Sequence, residues 1–407
     1  MKRQTEPTAQ PHSRNQLTLF MTCIFAITAG LNVANVYYAQ PLLETMAVDF
    51  NIPLNDAGLI VTLTQVGYGL GLVLLVPLGE LIDRRRLILG QNTLLIIALF
   101  AVAAAPTKTL LFICLAAMGL LSVTVQILVA FAATLALPAQ RGKAVGMVTS
   151  GVVIGILAAR IVSGILADIG GWRAVYATSA ILTAVMVGIL LRILPHDQIS
   201  ERPESYIKTL ISIPVLFLRN QILLVHGMLA LFAFAAFSTF WTALALPLSS
   251  DPFGYSHTQI GLFGLIGMAG ALAATGAGQL ADRGLGQQTI SISLTLLLLS
   301  WSMIYALPYA FPVFLIGIIV LDLAVQAVHV TNQSIIFRLF PEARNRLVSG
   351  YMLFYSVGSA LGGITSTITY SYAGWGSVAV LGAIFSAAAL SVWKISLAHK
   401  SNAREIH

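Results

Sequence analysis

The chain has 407 residues, of which 57% are hydrophobic and 9% are charged, against roughly 25% charged residues in a soluble domain. A mean hydropathy of +0.88, with repeated long apolar runs, excludes a soluble globular protein and indicates a membrane protein with several spans. The formal charge of +7 would suggest nucleic acid in a soluble chain. Here the placement of the basic residues carries the information, and no nucleic-acid partner is predicted.

Cysteines and the N-terminal tail exclude several further classes. Cys23 and Cys114 both lie inside apolar runs, so neither a disulfide framework nor a metal site is predicted, and no cofactor is expected. The tail Met1–Gln16 is polar, and the apolar segment after it is too long for the core of a cleavable signal. That segment is predicted to remain as the first span.

The hydropathy windows predict twelve membrane spans, numbered here in chain order. Each is near or above the ~20 residues that a helix needs to cross hydrocarbon. The spans must be helical, because lipid offers no partner for free backbone groups. They cover residues 17–40, 56–80, 87–105, 109–136, 144–167, 174–194, 220–247, 259–281, 288–308, 312–337, 347–370 and 375–397.

Basic residues predict the orientation of these spans. With the N-terminus inside, all of the 22 Lys and Arg residues except Lys108, Arg160 and Arg173 fall in cytoplasmic segments. The sequence therefore predicts a multi-pass protein of the cytoplasmic (inner) membrane with both termini in the cytoplasm. The lipid bilayer is its surrounding partner, and a monomer is expected.

Polar interruptions predict the domain organisation. The longest interruption is predicted to be a linker, because it contains the charged residues Asp197, Glu201, Glu204 and Lys208. An amphipathic helix is expected within it, around Tyr206–Leu218. The predicted units are a cytoplasmic N-terminal tail (1–16), an N-terminal six-helix bundle (17–194), a cytoplasmic linker (195–219), a C-terminal six-helix bundle (220–397) and a cytoplasmic C-terminal tail (398–407).

Two sets of landmarks repeat between the halves. The segment Gly79–Arg86, which contains Asp83 and Arg84, has a near copy at Gly278–Arg283, which contains Asp282. A second set, with a basic or polar start, spaced glycines and a final Gly-Trp pair, occurs at 138–172 and again at 341–375. Such regular spacing indicates duplicated six-helix units. The predicted fold is an all-α membrane protein of two pseudo-symmetric six-helix bundles.

At these residues the chain resembles the major facilitator superfamily, and within it the twelve-helix drug:proton antiporter-like efflux group. Gly79, Leu81, Asp83 and Arg84 match the family hallmark between spans 2 and 3, although the glycine after the Asp-Arg pair is missing. The glycines of span 5 resemble the family's antiporter helix. Span 4 departs from the pattern, because the segment 118–126 lacks the arginine of many efflux members.

Two charged residues lie at bilayer depth, where a charge costs at least ~2.5 kcal/mol and is a functional candidate. Arg160 lies eight residues before Asp168, and Asp322 lies ten residues after Pro312. At 1.5 Å per residue these offsets place both groups roughly 12–15 Å below the outer surface. We expect them to pair between the halves, with Asp322 as the proton-titrating carboxylate and Arg160 as its counter-ion. The alternative is a static ion pair that only fixes packing.

A polar stripe continues from Asp322 along span 10. Gln326, His329 and Gln333 fall on the same helical face as Asp322. His329 is a further proton-coupling candidate. The resemblance implies that spans 1, 4, 7 and 10 line a central cavity, and the predicted cavity residues are Asn32, Asn35, Tyr37, Tyr38, Gln126, Trp241, Gln326 and Gln333. For any single amide the alternative is an interhelical hydrogen bond, and His226 is predicted to be structural.

The repeated charged segments predict a conformational latch. A carboxylate at the cytoplasmic end of one bundle can meet the positive N-terminus of a span from the other bundle. By analogy Asp83 would face span 11 near Leu347, and Asp282 would face span 5 near Ala144. The predicted latch residues are Gly79, Asp83, Arg84, Gly278, Asp282 and Arg283. The alternative is that the arginines serve only as a topology signal.

The leading functional hypothesis is a secondary active transporter that expels a small organic compound, drug-like or a metabolite, in exchange for protons by alternating access. Alternatives are a sugar or nucleoside exporter, an uptake symporter or facilitator, and more remotely a solute sensor without transport. Enzyme motifs with His-Glu-x-x-His or Gly-x-Ser-x-Gly spacing do not occur, and the chain is not expected to be an enzyme.

The latch hypothesis predicts that Asp83→Asn lowers transport while membrane insertion stays normal. The lost charge–dipole attraction is about 0.3–1 kcal/mol, which shifts a two-state equilibrium about two- to fivefold. Uptake into proteoliposomes measures the effect, and Asp197→Asn in the linker is the control. Transport at the level of the unaltered chain would remove the hypothesis.

Overall fold

The computed structural model describes residues 17–137, 140–195, 205–339 and 344–405, and these residues form helices and turns without strands. The predicted N-terminal tail lies outside the described residues. In chain order the spans are Leu19–Ala34 (span 1), Leu59–Leu74 continued by Val76–Glu80 (span 2), Arg84–Ala103 (span 3), Lys108–Leu121 and Thr124–Leu135 (span 4), Arg141–Ile193 (spans 5 and 6), Gln221–Ala243 and Ala245–Ser249 (span 7), His257–Ala273 and Thr275–Leu280 (span 8), Gly286–Tyr305 (span 9), Phe311–Leu339 (span 10) and Arg344–Glu405 (spans 11 and 12).

Two uninterrupted helical stretches each contain two spans. Within Arg141–Ile193 the backbone breaks at Gly171, where φ is 76°, and within Arg344–Glu405 it breaks at Gly374, where φ is 69°. Glycine adopts this left-handed conformation without the steric cost of a side chain. The two corners belong to the Gly-Trp pairs that the sequence repeat singled out. Each predicted span thus coincides with a helical segment of the described chain, and the predicted fold class is confirmed.

Span 1 is shorter than its hydropathy window of 17–40. Its α-helix ends at Ala34, and the chain continues in tighter turns, with the amide of Tyr37 bonded to the carbonyl of Ala34. Pro41 follows these turns, and proline disfavours helical backbone in the residue before it. The change of geometry re-aims every side chain between residues 35 and 40.

Glycines bring neighbouring spans of the same bundle into backbone contact. A Cβ added at Gly155 of span 5 would meet the backbone of Gly30 in span 1, and one added at Gly358 of span 11 would meet the carbonyl of Leu231 in span 7. Gly67 of span 2 lies in the same way against the backbone of span 4. Small residues permit this close packing in membranes, where van der Waals contact drives helix association.

Two seams join the halves at one end of the molecule. In the first, the amide of Gly58 donates to Thr367 Oγ1 at 3.1 Å, and Thr62 Oγ1 donates to the carbonyl of Ala360 at 3.0 Å, so spans 2 and 11 meet. In the second, spans 5 and 8 meet near Gly164. This end carries the segment between spans 1 and 2, and we call it the outer end, following the predicted orientation. At the opposite end, residues 141–143 of span 5 are exposed.

The linker helix Tyr206–Arg219 contacts both bundles. Its Phe217 packs against two residues of span 11, Gly350 and Phe354. The ring centroids of Phe217 and Phe354 are 5.6 Å apart. The hydroxyl of Tyr206 donates to the carbonyl of Leu74 in span 2 at 2.7 Å. The helix therefore bridges the two halves at the end opposite the seams.

Gly67→Ala tests the backbone contact between spans 2 and 4. The added methyl would meet the carbonyl of Ala116, which is backbone and cannot move aside. Overpacking of this kind costs about 1–3 kcal/mol, so we expect a lower Tm in detergent. Gly90→Ala is the matched control, because Gly90 has open space around it and an added methyl favours helix there. Equal Tm values for the two variants would contradict the packing account.

Candidate functional site

Arg160 lies in the middle of the protein and is 2% exposed. Its Nε donates to Gln40 Oε1 at 2.9 Å, from the turn that follows span 1. Its guanidinium carbon lies 3.8 Å from the ring centroid of Trp241 and 5.5 Å from those of Tyr37 and Phe237. Aromatic faces stabilise a desolvated guanidinium through cation–π attraction. An aromatic cage therefore encloses this cation.

Asp322 lies at the edge of the same tryptophan and is 3% exposed. Trp241 Nε1 donates to Asp322 Oδ1 at 3.2 Å. Gly267 of span 8 leaves room for the carboxylate, because a Cβ there would meet Asp322 Oδ2 and the indole. Asp322 Oδ2 and Arg160 Nη2 have no hydrogen-bond partner within the described structure.

The expected direct pair between Arg160 and Asp322 is not present, and this corrects the prediction. Both groups lie in one layer, as their depths implied, and they share Trp241 as a partner: the guanidinium packs on the ring and the carboxylate accepts from its edge N–H. The charges still act on one another electrostatically. The pattern of the sequence did not indicate that an indole from span 7 would contact both charges.

The remaining residues of the span 10 stripe are half-buried, unlike Asp322. Gln326, His329 and Gln333 follow Asp322 along one face of span 10, away from the charged layer. His329 Nδ1 lies 3.0 Å from the hydroxyl of Tyr351, and its ring packs edge-on against Phe234. His329 is therefore part of an aromatic cluster with spans 7 and 11 rather than a partner of Asp322.

A tyrosine pair across the halves was missed at the level of sequence. The hydroxyls of Tyr37, in the turn after span 1, and Tyr355, in span 11, are hydrogen-bonded. Tyr355 also packs on Phe234, with a centroid distance of 4.0 Å. The spacing of Phe234, Phe237 and Trp241 on one helical face was a signal that an aromatic lining was present.

Three predicted cavity residues point into the N-terminal bundle, which corrects the prediction for them. Asn32 Nδ2 donates to Asn92 of span 3 at 3.0 Å, and Ser179 of span 6 donates to Asn35 Oδ1 at 2.7 Å. Tyr38 packs edge-on against the ring of Tyr176, also in span 6. The interhelical alternative holds for both asparagines. Asn32 lies on the face of the span 1 helix that packs on span 3, whereas Asn35 and Tyr38 follow the end of that helix at Ala34, where the change to tighter turns directs them toward span 6.

Two other polar residues of the central spans have partners in neighbouring spans. Gln126 of span 4 donates to the Tyr68 hydroxyl of span 2 at 3.4 Å and is half-buried. His226 Nδ1 lies 2.7 Å from Asn332 Oδ1 and the ring packs near Trp393, a structural arrangement of the kind predicted.

The repeated charged segments lie at the end opposite the seams. Asp83 is the N-cap of span 3 and accepts from the amide of Arg85 at 2.9 Å. Arg84 donates to the carbonyl of Gly79 at 3.0 Å and to Thr134 at 2.8 Å.

In the second copy Arg283 is exposed within the π-helical turn Ala281–Leu285. Gly278 belongs to the helix Thr275–Leu280, and the side chain of Asp282 lies outside the described residues. The latch role of both copies stays a prediction.

Comparison with known proteins decides the family. The sequence profile of the Major Facilitator Superfamily matches residues 25–307 and 227–406. The chain belongs to the major facilitator superfamily. It is therefore a multi-pass membrane transporter, of a family that is not an enzyme class.

Individual relatives agree with this assignment. The chain is 44% identical over 379 residues to "Uncharacterized transporter YgaY" of Escherichia coli O157:H7, covering 93% of this chain and 96% of the relative. It is 21% identical to "Probable sugar efflux transporter" of Helicobacter pylori, covering 93% and 95%. The crystal structure of a bacterial homologue of human Spinster, inward-facing and occupied, superposes with a TM-score of 0.72 at 14% identity, covering 93% and 92%.

Gly267→Ala tests the packing of the charged layer. The methyl would displace the Asp322 carboxylate or the Trp241 indole. We expect the free energy of unfolding to fall by about 1–3 kcal/mol, and transport into proteoliposomes to fall further than this loss of stability explains. Gly276→Ala, in open space on the same span, is the control. Normal uptake by Gly267→Ala would show that the layer tolerates displacement.

Proposed function

We propose that the protein is a proton-coupled transporter that expels a small organic compound by alternating access. The observation that carries the proposal is the buried layer of Arg160, Trp241 and Asp322, which crosses the boundary between the halves. Ionisable groups at this depth are costly and mark ion or proton pathways. Arg160 belongs to the N-terminal bundle, whereas Trp241 and Asp322 belong to the C-terminal one.

Asp322 is the proposed proton carrier. Ionised, its carboxylate accepts from Trp241 Nε1 at the edge of the indole and attracts the guanidinium that packs on the ring. Protonated, it loses its charge, and Arg160 then keeps only the aromatic rings and Gln40 as partners. The attraction across the halves is therefore weaker in the protonated form, and proton binding shifts the balance between conformations by that difference. Gln40 and Trp241 act as positioning residues in this scheme.

The half-buried residues below the layer form the proposed substrate path. Gln126, Gln326 and Gln333 offer amide groups, and His329 with Phe234 offers aromatic surface. Few charges line the path, which suits a neutral or weakly charged organic solute. Trp241 and Tyr37 form its inner limit, whereas Asn32, Asn35 and Tyr38 no longer belong to the proposed set.

Efflux by antiport is supported by the resemblance to the drug:proton group and by the glycine-rich fifth span. Export of a sugar is the second candidate, because the Helicobacter pylori relative carries that name. A nucleoside exporter, an uptake symporter or facilitator, and a solute sensor are the remaining alternatives. Flux into proteoliposomes under an imposed pH gradient, over a panel of dyes, sugars and nucleosides, separates them.

The topology and the latch complete the proposal. The polar tails 1–16 and 398–407 and the linker 195–219 lie in the cytoplasm, and a single chain is sufficient for transport. Asp83 and Asp282 would engage the opposite bundle when the cytoplasmic end closes, because the structure has its seams at the other end.

Asp322→Asn is expected to abolish uphill transport driven by a pH gradient, since the amide cannot exchange a proton. Downhill exchange of the same compound should persist. Proteoliposome flux with the gradient on and off measures both. Asp251→Asn, in an exposed turn, is the matched control and should behave as the unaltered protein. Full gradient-driven transport by Asp322→Asn would refute the coupling role.

A further inference from the structure

A second carboxylate outside the charged layer makes contacts across the halves. Asp168 lies near the outer end of span 5, and span 8 of the other bundle begins beside it. The amides of His257 and Thr258 donate to Asp168 Oδ1 at 3.2 Å and Oδ2 at 2.8 Å. His257 Nδ1 also lies 2.8 Å from Oδ1. Three groups of one helix terminus thus converge on one side chain from the opposite bundle.

The start of span 8 is well suited to hold this carboxylate. The first amides of a helix lack partners within the helix and carry partial positive charge. Ser256 and Gln259 form a capping box that satisfies neighbouring groups, and Asp168 accepts from two amides that face span 5. Gly164 permits the approach, because a Cβ there would meet the carbonyl of His257.

The other seam repeats this arrangement with a neutral residue. Thr367, near the outer end of span 11, accepts from the amide of Gly58 at 3.1 Å, where span 2 begins. Its hydroxyl also lies 3.2 Å from the carbonyl of Asn55. Gly164 in span 5 and Thr367 in span 11 are 203 residues apart, the offset of the Gly-Trp pairs. In both seams a side chain near the outer end of one span thus accepts hydrogen bonds from the first amides of a span in the other half.

His257 also contacts a third element near the seam between spans 5 and 8. Its Nε2 lies 2.5 Å from the hydroxyl of Thr45, in the short helix Leu43–Asp49 that follows span 1. Among the described residues, Asp168 supplies the charge that contacts the imidazole of His257. The neighbouring Glu44 interacts electrostatically with Tyr370 of span 11.

We propose that Asp168 and Thr367 are the gate residues of the outer end, which seal it by capturing the first turns of spans 8 and 2. To open the outer end, the transporter must withdraw the carboxylate from three donors and return it to water. Asp168 carries most of this cost, because hydrogen bonds to a charged group are stronger than those to a hydroxyl. Asp168 lies about two turns of helix from Arg160, so sealing is a property separate from the charge on Asp322.

The opening of the outer end can be measured by the distance between two spin labels. Lys108, the first residue of span 4, and Tyr309, between spans 9 and 10, are exposed and lie in opposite bundles. Both are replaced by labelled cysteine in a chain whose Cys23 and Cys114 are changed to serine. Double electron–electron resonance in lipid nanodiscs then gives the distribution of distances between the labels, and from it the ratio of open to sealed molecules.

We expect Asp168→Asn to raise the ratio of open to sealed molecules by about tenfold, since a charge-assisted contact becomes a neutral one. Thr367→Val should raise it by about two- to fivefold, and the double variant by the product of the two. The Thr367 variant also keeps the proposal testable if the Asp168 variant does not fold.

Asp49→Asn is the matched control for a generally weakened outer end. Asp49 is a partly exposed carboxylate that accepts from Arg173 and Trp172, all within the N-terminal bundle. These partners hold its pKa below the ordinary range, so it is charged as Asp168 is. Its variant should lower the Tm without changing the ratio.

An unchanged ratio in both the Asp168 and Thr367 variants would overturn the proposal. An equal shift in the Asp49 variant would also overturn it, because loss of stability would then explain the opening. The measurement uses no substrate and no pH gradient, so its outcome is independent of whether Asp322 couples transport to protons.

Discussion

A positive charge fixed in the middle of a membrane protein must be compensated by its neighbours, and Arg160 imposes this constraint here. Burial removes the hydration of the guanidinium, and a single uncompensated ion would cost several kcal/mol. Its neighbours in the structure are Gln40, three aromatic rings and, bonded to the edge of one of those rings, the Asp322 carboxylate. These groups come from the turn after span 1 and from spans 7 and 10, so the burial of Arg160 in span 5 constrains how those elements meet.

The absence of a direct ion pair between Arg160 and Asp322 changes what the two charges can do. A direct ion pair in low dielectric would be held tightly, and breaking it would dominate the conformational energy. Here both groups contact Trp241 instead, and each keeps an unused hydrogen-bonding atom, Arg160 Nη2 and Asp322 Oδ2. The attraction is thus weaker and more adjustable. This arrangement fits a transporter, which needs states of similar free energy rather than one deep minimum.

How much the sequence revealed depended on the kind of signal. Hydropathy predicted the twelve spans, and the repeat marked the Gly-Trp pair at Gly171, although it did not indicate that the backbone turns a corner there. The depths of Arg160 and Asp322 followed from counting residues along straight helices. The direction of the Asn32 side chain did not follow, because packing sets the rotation of a helix about its axis, and that of Asn35 did not because the helix of span 1 ends at Ala34. The contact of Asp168 with the start of span 8 was also not predicted, because Thr367, which makes the contact in the other seam, corresponds in the repeat to Gly164 rather than to Asp168.

The two glycine corners at Gly171 and Gly374 have a mechanical consequence. Each joins two spans without a loop, so span 5 and span 6, or span 11 and span 12, have no slack between them. A tilt of either seam-forming span must drag its peripheral neighbour through the surrounding acyl chains. Part of the work of switching is therefore done on the lipid, and the stiffness of the bilayer becomes one of the forces that the transport cycle has to overcome.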